Sequence, residues 1–123
     1  MKYATAMILQ ADAASCQSLS VSLHQMSFSV RVVQKLDELR AGIIRNRPDV
    51  VILDMEIASL KALHHLCGEF PQVSVVCTHR LADEGMWTEA LNAGASDVCL
   101  QNDAKAILNA ALRTTTPLHS AAA

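Results

Sequence analysis

The chain has 123 residues, of which 51% are hydrophobic and only 3% aromatic, and its net charge is −2. That length suits one domain with an aliphatic core. A near-neutral charge favours neither nucleic acid nor a membrane surface as a partner. The chain has no apolar run near the roughly 20 residues of a membrane span, and its N-terminus lacks a signal-peptide pattern. We therefore expect a globular protein of the cytoplasm.

Five short apolar runs predict strands, and a pattern of helical period follows each of them. The predicted strands span 4–9, 27–32, 50–53, 73–77 and 97–100. The predicted helices span 12–26, 36 to a point before 48, 60 to about 68, 83–91 and 103–112. The apolar residues expected to bury the first three helices are Leu19, Leu23, Met26, Leu36, Leu39, Ile43, Ile44, Leu60, Leu63, Leu66 and Cys67.

The ends of these elements carry recognisable signals. Asp12 or Ser15 is expected to cap the first helix, and Gly94 to end the fourth helix with a left-handed conformation. Residues 114–123 contain turn-forming and small residues without periodicity. We therefore expect one domain over residues 1–113 and a disordered tail or linker stub over 114–123.

The alternation of strands and helices predicts an α/β fold, with a doubly wound parallel sheet and helices on both faces. The run 50–53 is apolar on both sides of the strand, which is typical of the centre of such a sheet. Asp54 follows at the carboxyl end of this strand, where open α/β sheets bind their ligands. Because burial of an unpaired carboxylate is costly, we expect Asp54 to point into an exposed cleft.

The four cysteines are scattered, without CxxC or CxH spacing: Cys16, Cys67, Cys77 and Cys99. Two of them fall in predicted strands. Free thiols in a reducing compartment fit this distribution better than disulfides or a zinc site.

Two stretches resemble the receiver domains of bacterial response regulators. Residues 47–55 read Arg-Pro-Asp-Val-Val-Ile-Leu-Asp-Met, and residues 90–97 read Ala-Leu-Asn-Ala-Gly-Ala-Ser-Asp. The resemblance covers nearly all of residues 4–113. It implies a five-stranded sheet in the order 2-1-3-4-5, the flavodoxin-like receiver fold. It also implies that Asp54 matches the aspartate that accepts a phosphoryl group.

The resemblance further implies a Mg²⁺ site, where the chain departs from the family pattern. The family's acidic pair falls on Gln10 and Ala11, and neither is a hard anionic ligand. Asp12 lies one position beyond the pair, and Glu56 lies two residues past Asp54. These two are the remaining candidate metal ligands, although Asp12 also suits the cap of the first helix.

Other matched positions also differ from the family pattern. Counted back from Gly94, the switch hydroxyl falls on His79, and a slip of one residue would place it on Thr78. His79 otherwise suits a solvated loop. The phosphate-contacting lysine falls on Gln101, which donates hydrogen bonds but carries no charge. Asp54 itself suits either a phosphoacceptor or a structural carboxylate at a strand end.

The family contacts its partners through the fourth helix, fifth strand and fifth helix. On the predicted fourth helix, Met86, Trp87 and Ala90 are expected to form a small apolar patch for a partner. Core packing is the alternative interpretation of Trp87.

Three functions remain open. The first hypothesis is a degenerate receiver domain in bacterial phosphorelay signal transduction, which acts as a protein-interaction module without phosphorylation, enzymatic activity or cofactor. The alternative is a conventional phosphoacceptor at Asp54 that requires Mg²⁺. The third is a small enzyme of flavodoxin-like fold, although the sequence has no glycine-rich phosphate loop or nucleophile elbow. The expected partners are a histidine kinase, another signalling protein, or a second copy of the chain that binds through the fourth helix, fifth strand and fifth helix.

Overall fold

Five strands alternate with five helices in the computed structural model, which describes residues 4–81 and 83–115. The strands are β1 Thr5–Leu9, β2 Ser29–Val33, β3 Val50–Asp54, β4 Ser74–His79 and β5 Asp97–Leu100. The helices are α1 Ala13–Gln25, α2 Leu36–Asn46, α3 Leu60–Glu69, α4 Glu84–Ala93 and α5 Ala104–Thr115. None of the helices in the described ranges is long and apolar enough to cross a bilayer.

All neighbouring strands are parallel, and their order is β2-β1-β3-β4-β5. The α/β fold class and the strand order expected from the sequence are therefore confirmed. Strand β3 lies at the centre and is buried along its whole length. Its last residue, Asp54, is the register partner of Thr78 on β4. The carboxyl ends of β1, β3 and β4 consequently meet at one edge of the sheet, where ligands of such folds bind.

Side chains of each strand alternate between two cores. On one face, Leu9 and Leu53 pack with α2, α3 and α4. On the other face, Ile8 and Ile52 pack with α1 and α5. Burial of this aliphatic surface on both sides of the sheet is the main stabilising term for the fold.

The sequence predicted two helix caps correctly, one at Asp12 and one at Gly94. Asp12 caps α1, since its Oδ2 accepts a hydrogen bond of 2.9 Å from the backbone N–H of Ser15. Gly94 caps α4 with a φ of 121°, a backbone conformation that disfavours residues with a Cβ. A Cβ on Gly94 would also lie 2.7 Å from the Cβ of Cys67. Glycine is therefore required at this corner both by its backbone angle and by the close approach of α3.

Two residues expected in the core are exposed. Met26 is 45% exposed and Ile44 is 54% exposed. Met26 lies just past the end of α1. Ile44 follows the buried Ile43 in α2, and because successive helical residues point about 100° apart, its side chain faces away from the core. The other predicted helix positions are buried or packed against the core.

The bounds of several elements differ from the prediction, and three of the differences bear on the site or the tail. Strand β2 begins at Ser29 rather than at 27, because Ser27 takes a positive φ of 68° and Phe28 is buried in the turn. Strand β4 continues to His79, which pairs with Leu100 on β5. His79 is consequently a strand residue rather than a solvated loop residue. Helix α5 continues to Thr115, so the predicted tail begins inside the helix; residues 116–123 lie outside the described ranges.

The four cysteines are free thiols, as expected. Cys16, Cys77 and Cys99 are buried, and Cys67 is half-buried against Gly94. Burial, with smaller contributions from the neighbouring thiols of Cys67 and Cys99, raises the pKa of Cys77 to about 12. This thiol is therefore a packing group of the core.

Candidate functional site

The carboxylate of Asp54 is completely buried at the end of β3. Its Oδ2 accepts a hydrogen bond of 2.8 Å from the backbone N–H of Ala11, and its Oδ1 accepts one of 2.8 Å from the backbone N–H of Glu56. The expectation that Asp54 points into an exposed cleft is therefore wrong. Charge-assisted bonds to two backbone donors compensate for the loss of solvent, and Asp54 joins the β1–α1 loop to the β3–α3 loop.

Gln10 and Thr78 form a buried polar pair beside this aspartate. The hydroxyl of Thr78 donates to Oε1 of Gln10 at 3.2 Å, and both residues are buried. The Nε2 atom of Gln10 is buried without a hydrogen-bond partner in residues 4–81 and 83–115. An unpaired buried donor costs on the order of 1–3 kcal/mol. Gln10 is thus directed towards Thr78, at a position where the resemblance implies a metal ligand.

An open cleft of about 770 Å³ lies above this buried layer. Asp12, Glu56 and Gln101 all line it, so the fold brings three of the predicted site residues together. Arg80 also lines the cleft and was missed from the sequence. Its signal was a cationic residue just past the end of the predicted fourth strand. Asp54 itself does not line the cleft, because the loops that it joins lie over it.

The charged groups of the cleft already have partners. Asp12 accepts from the hydroxyl of Ser15 at 2.6 Å and from its backbone N–H, and these bonds hold the pKa of Asp12 below its ordinary value. The Oε2 atom of Glu56 lies 3.6 Å from Nε of Arg80 and 4.0 Å from Nε2 of His79. Two loops are therefore linked across the cleft by opposite charges. Such exposed pairs contribute little stability.

His79 and Gln101 lie at the ends of neighbouring strands. The backbone N–H of Gln101 donates to the carbonyl of His79 at 2.8 Å. The Nδ1 atom of His79 lies 3.1 Å from both the backbone nitrogen and the carbonyl oxygen of Leu81, and the Nε2 atom on the other side of the ring faces Glu56. The hydroxyl in the buried layer beside Gln10 belongs to Thr78, and His79 lies outside that layer.

The donor set does not fit the Mg²⁺ site that the resemblance implies. Mg²⁺ requires oxygen ligands, usually carboxylates, in near-ideal octahedral geometry. Asp12 is used as a helix cap, Glu56 faces Arg80, and Gln10 faces Thr78. Within the described ranges, no three His, Cys, Asp or Glu side chains are grouped so that they could share a metal ion.

The predicted interaction patch is only partly at the surface. Met86 and Trp87 are half-buried and pack against the core, whereas Ala90 is completely buried and contributes no surface. Ala90 turns inward because it lies one helical turn from both residues on the face that contacts the sheet. Trp87 instead borders a groove of about 320 Å³ along β5.

Solved structures of response regulators superpose closely on this chain. A response regulator from Thermotoga maritima gives a TM-score of 0.84 at 20% identity, covering 92% of this chain and 98% of that one. One from Chloroflexus aurantiacus gives 0.81 at 18% identity, covering 92% and 98%. The BeF₃-activated N-terminal receiver domain of RstA from Klebsiella pneumoniae gives 0.78 at 25% identity, covering 89% and 95%.

The chain has the receiver fold of two-component response regulators. Neither a protein-family model nor a curated protein matches its sequence. At these identities the likeness establishes the receiver fold. The chemistry of the site must therefore be argued from the residues of this chain.

Proposed function

We propose that this receiver fold is a degenerate receiver domain that acts in bacterial two-component signalling as a protein-interaction module without phosphorylation. One observation carries the proposal. Asp54 is fully buried, both of its carboxylate oxygens accept backbone hydrogen bonds, and it does not line the cleft. A phosphoacceptor must instead expose a carboxylate oxygen to the incoming phosphorus atom, and burial of Asp54 opposes that approach.

The charges of the cleft support the same proposal. Transfer of a phosphoryl group requires cations that balance the charge on its oxygens. Gln101 brings no charge, and the one basic side chain that lines the cleft in the described ranges, Arg80, already faces Glu56. The carboxylates that would hold Mg²⁺ are replaced by Gln10 and Ala11. We therefore infer a domain that requires no metal and catalyses no reaction.

Fixed contacts also favour a single state of the partner-binding face. Thr78 is bonded to Gln10 inside the protein, and Arg80 faces Glu56 across the cleft. The buried Thr78 bond therefore holds the end of β4 that leads towards α4, and the exposed Arg80 pair adds little to it. A surface in one state still binds partners, and binding requires no switch. The proposed partners are a histidine kinase or another signalling protein, or a second copy of the chain.

The direct test is the intact mass of the protein after incubation with acetyl phosphate and Mg²⁺. We expect no phosphoryl adduct on the parent protein. The combined variant Gln10→Asp, Ala11→Asp and Gln101→Lys should become labelled, and it should lose the label when Asp54→Asn is added. Each single substitution should stay unlabelled, because metal and lysine act on the same phosphoryl group.

Labelling of the parent protein at Asp54 would overturn the proposal and support the Mg²⁺-dependent phosphoacceptor instead. A second arm measures Mg²⁺ binding through thermal stability. We expect no saturable shift at low millimolar metal, since a bound cation would stabilise the native state by mass action. A saturable shift with a midpoint below about 1 mM would contradict the proposal.

A further inference from the structure

The groove along β5 has a composition suited to one class of occupant. It lies between α4 and α5, with the indole of Trp87 on one wall and Asp97 and Asp103 among its lining residues. Arg113 lines it too and forms an ion pair with Asp97. Two carboxylates and one guanidinium leave the groove with a net charge of −1.

The segment that forms α4, β5 and α5 is more acidic than the rest of the chain. Residues 83–115 contain five carboxylate and two basic side chains, a net charge of −3, whereas the whole chain has −2. The exposed Glu84 and Glu89 lie on α4, which has no basic residue. Opposed copies of this face would therefore repel each other, and a basic partner would be attracted.

The carboxylates of Asp97 and Asp103 line the same groove, and both influence the thiol of Cys99. Cys99 lies on β5 between them, and its pKa is raised to about 11, first by burial and then by Asp97 and Asp103. Asp103 also caps α5, since its Oδ1 accepts a hydrogen bond of 3.1 Å from the backbone N–H of Ala106. Its negative charge has no basic partner in the described ranges, unlike that of Asp97.

One backbone donor on the free edge of β5 is already used inside the chain. Oδ1 of Asp97 accepts a hydrogen bond of 2.8 Å from the backbone N–H of Val98. Successive residues of a strand direct their backbone groups to opposite sides. The backbone N–H of Gln101 donates to the carbonyl of His79 on β4, so by this alternation the N–H of Cys99 faces β4 and that of Val98 lies on the free edge. A partner strand at this edge would have to displace the Asp97 side chain from the Val98 N–H, so the groove favours contacts to side chains.

We propose that this groove binds a lysine or arginine side chain of a partner protein. The aliphatic stem would lie against the indole of Trp87, and the cation would approach Asp103 and the aromatic face. The inference rests on the proposed interaction function and names the chemistry of the partner. It assigns the groove to a basic partner and not to a second copy of this acidic face.

Trp87 is the only tryptophan in the chain, so its fluorescence reports on the groove. The probes are a short peptide that alternates glycine with lysine and a matched peptide that alternates glycine with glutamate. We expect saturable change in Trp87 emission with the lysine peptide only. Asp103→Asn, which keeps the cap of α5, should weaken that binding about threefold or more. Glu89→Gln removes the same charge from an exposed site outside the groove and should have a smaller effect.

Three outcomes would overturn this inference. They are equal binding of the glutamate peptide, equal weakening by Asp103→Asn and Glu89→Gln, and sedimentation that shows self-association covering Trp87. None of them depends on phosphorylation. The failure of the proposed function, which is labelling of Asp54, is therefore distinguishable from the failure of the groove assignment.

Discussion

The Oδ2 atom of Asp54 lies 2.8 Å from the backbone nitrogen of Ala11, a residue 43 positions earlier in the chain. The other carboxylate oxygen accepts from Glu56, so one side chain holds two loops of the cleft. This arrangement assigns Asp54 a structural role that can be measured without any phosphodonor.

We expect Asp54→Ala to lower the free energy of unfolding by about 2 kcal/mol, because it leaves two backbone donors without an acceptor. Asp54→Asn should fall between parent and alanine variant, since the amide keeps one acceptor oxygen. Urea denaturation measures the effect. Asp37→Ala, at an exposed position in the first turn of α2, serves as the control and should change stability by no more than about 0.5 kcal/mol. An unchanged or increased stability of Asp54→Ala would contradict the structural role.

The pair formed by Gln10 and Thr78 predicts non-additive substitutions. Thr78→Val removes the donor to Oε1 of Gln10 and should cost about 1 kcal/mol. Gln10→Met should partly restore stability in the Thr78→Val background, because the double variant leaves no polar atom of the pair buried and unpaired. A double-mutant cycle by urea denaturation tests this coupling. Strict additivity of the two substitutions would show that the hydrogen bond contributes nothing.

Substitution by alanine should change the stability of the protein in opposite directions at two glycines. Gly94→Ala should destabilise the protein by more than about 1 kcal/mol, because φ is 121° and the new Cβ would lie 2.7 Å from the Cβ of Cys67. Gly68 lies in α3, and a Cβ there would meet nothing within 4 Å. Gly68→Ala should therefore stabilise by up to about 1 kcal/mol. Thermal unfolding of both variants provides the comparison, and equal effects of the same sign would rule out this account.

The buried thiol of Cys77 predicts a loss of stability at high pH. In the unfolded chain the thiol ionises near its ordinary pKa of 9.0, whereas the folded protein retains the proton up to about 12. The folded state thus binds more protons between these values, so the free energy of unfolding falls as pH rises above 9. Urea denaturation of the parent and Cys77→Ala measures the slope. The variant should show the smaller decline, and identical slopes would exclude Cys77 as the cause.

The same burial protects Cys77 from alkylation. At pH 8 and under native conditions, iodoacetamide should modify Cys77 more slowly than the half-buried Cys67, because the thiolate is the reactive form and is scarce at Cys77. Mass spectrometry of the digested protein gives the relative rates. Denaturant should remove the difference.

The fold was predictable because short segments of the chain determine it. The apolar run 50–53 specifies a central strand, since a strand exposed on either face would need polar residues at every second position. Gly94 marks the end of α4 because few other residues accept its backbone angle. Ile44 shows the limit of such reasoning. A run of two isoleucines does not reveal which of them faces the core.

Part of the cleft lining was predictable from the sequence, whereas its geometry was not. Sequence position placed Asp12, Glu56 and Gln101 at the same end of the sheet, where they line one cleft. The burial of Asp54 depends on the path of two loops, and the amide of Ala11 carries no side-chain signal. Arg80 likewise stood outside the motif positions, although it places a cation in the cleft. A hydrogen bond from a side chain to a backbone group distant in sequence leaves no pattern in the sequence itself.

The two hydrogen bonds to Asp54 have a consequence for how the protein is regulated. Under the proposed function, the buried Asp54, held by two backbone donors, carries no covalent mark of an upstream signal. Under the proposed function, the occupancy of a partner is then set by mass action alone. Synthesis and degradation of the protein then control how much partner is bound, because the amount of complex depends on the concentration of the protein.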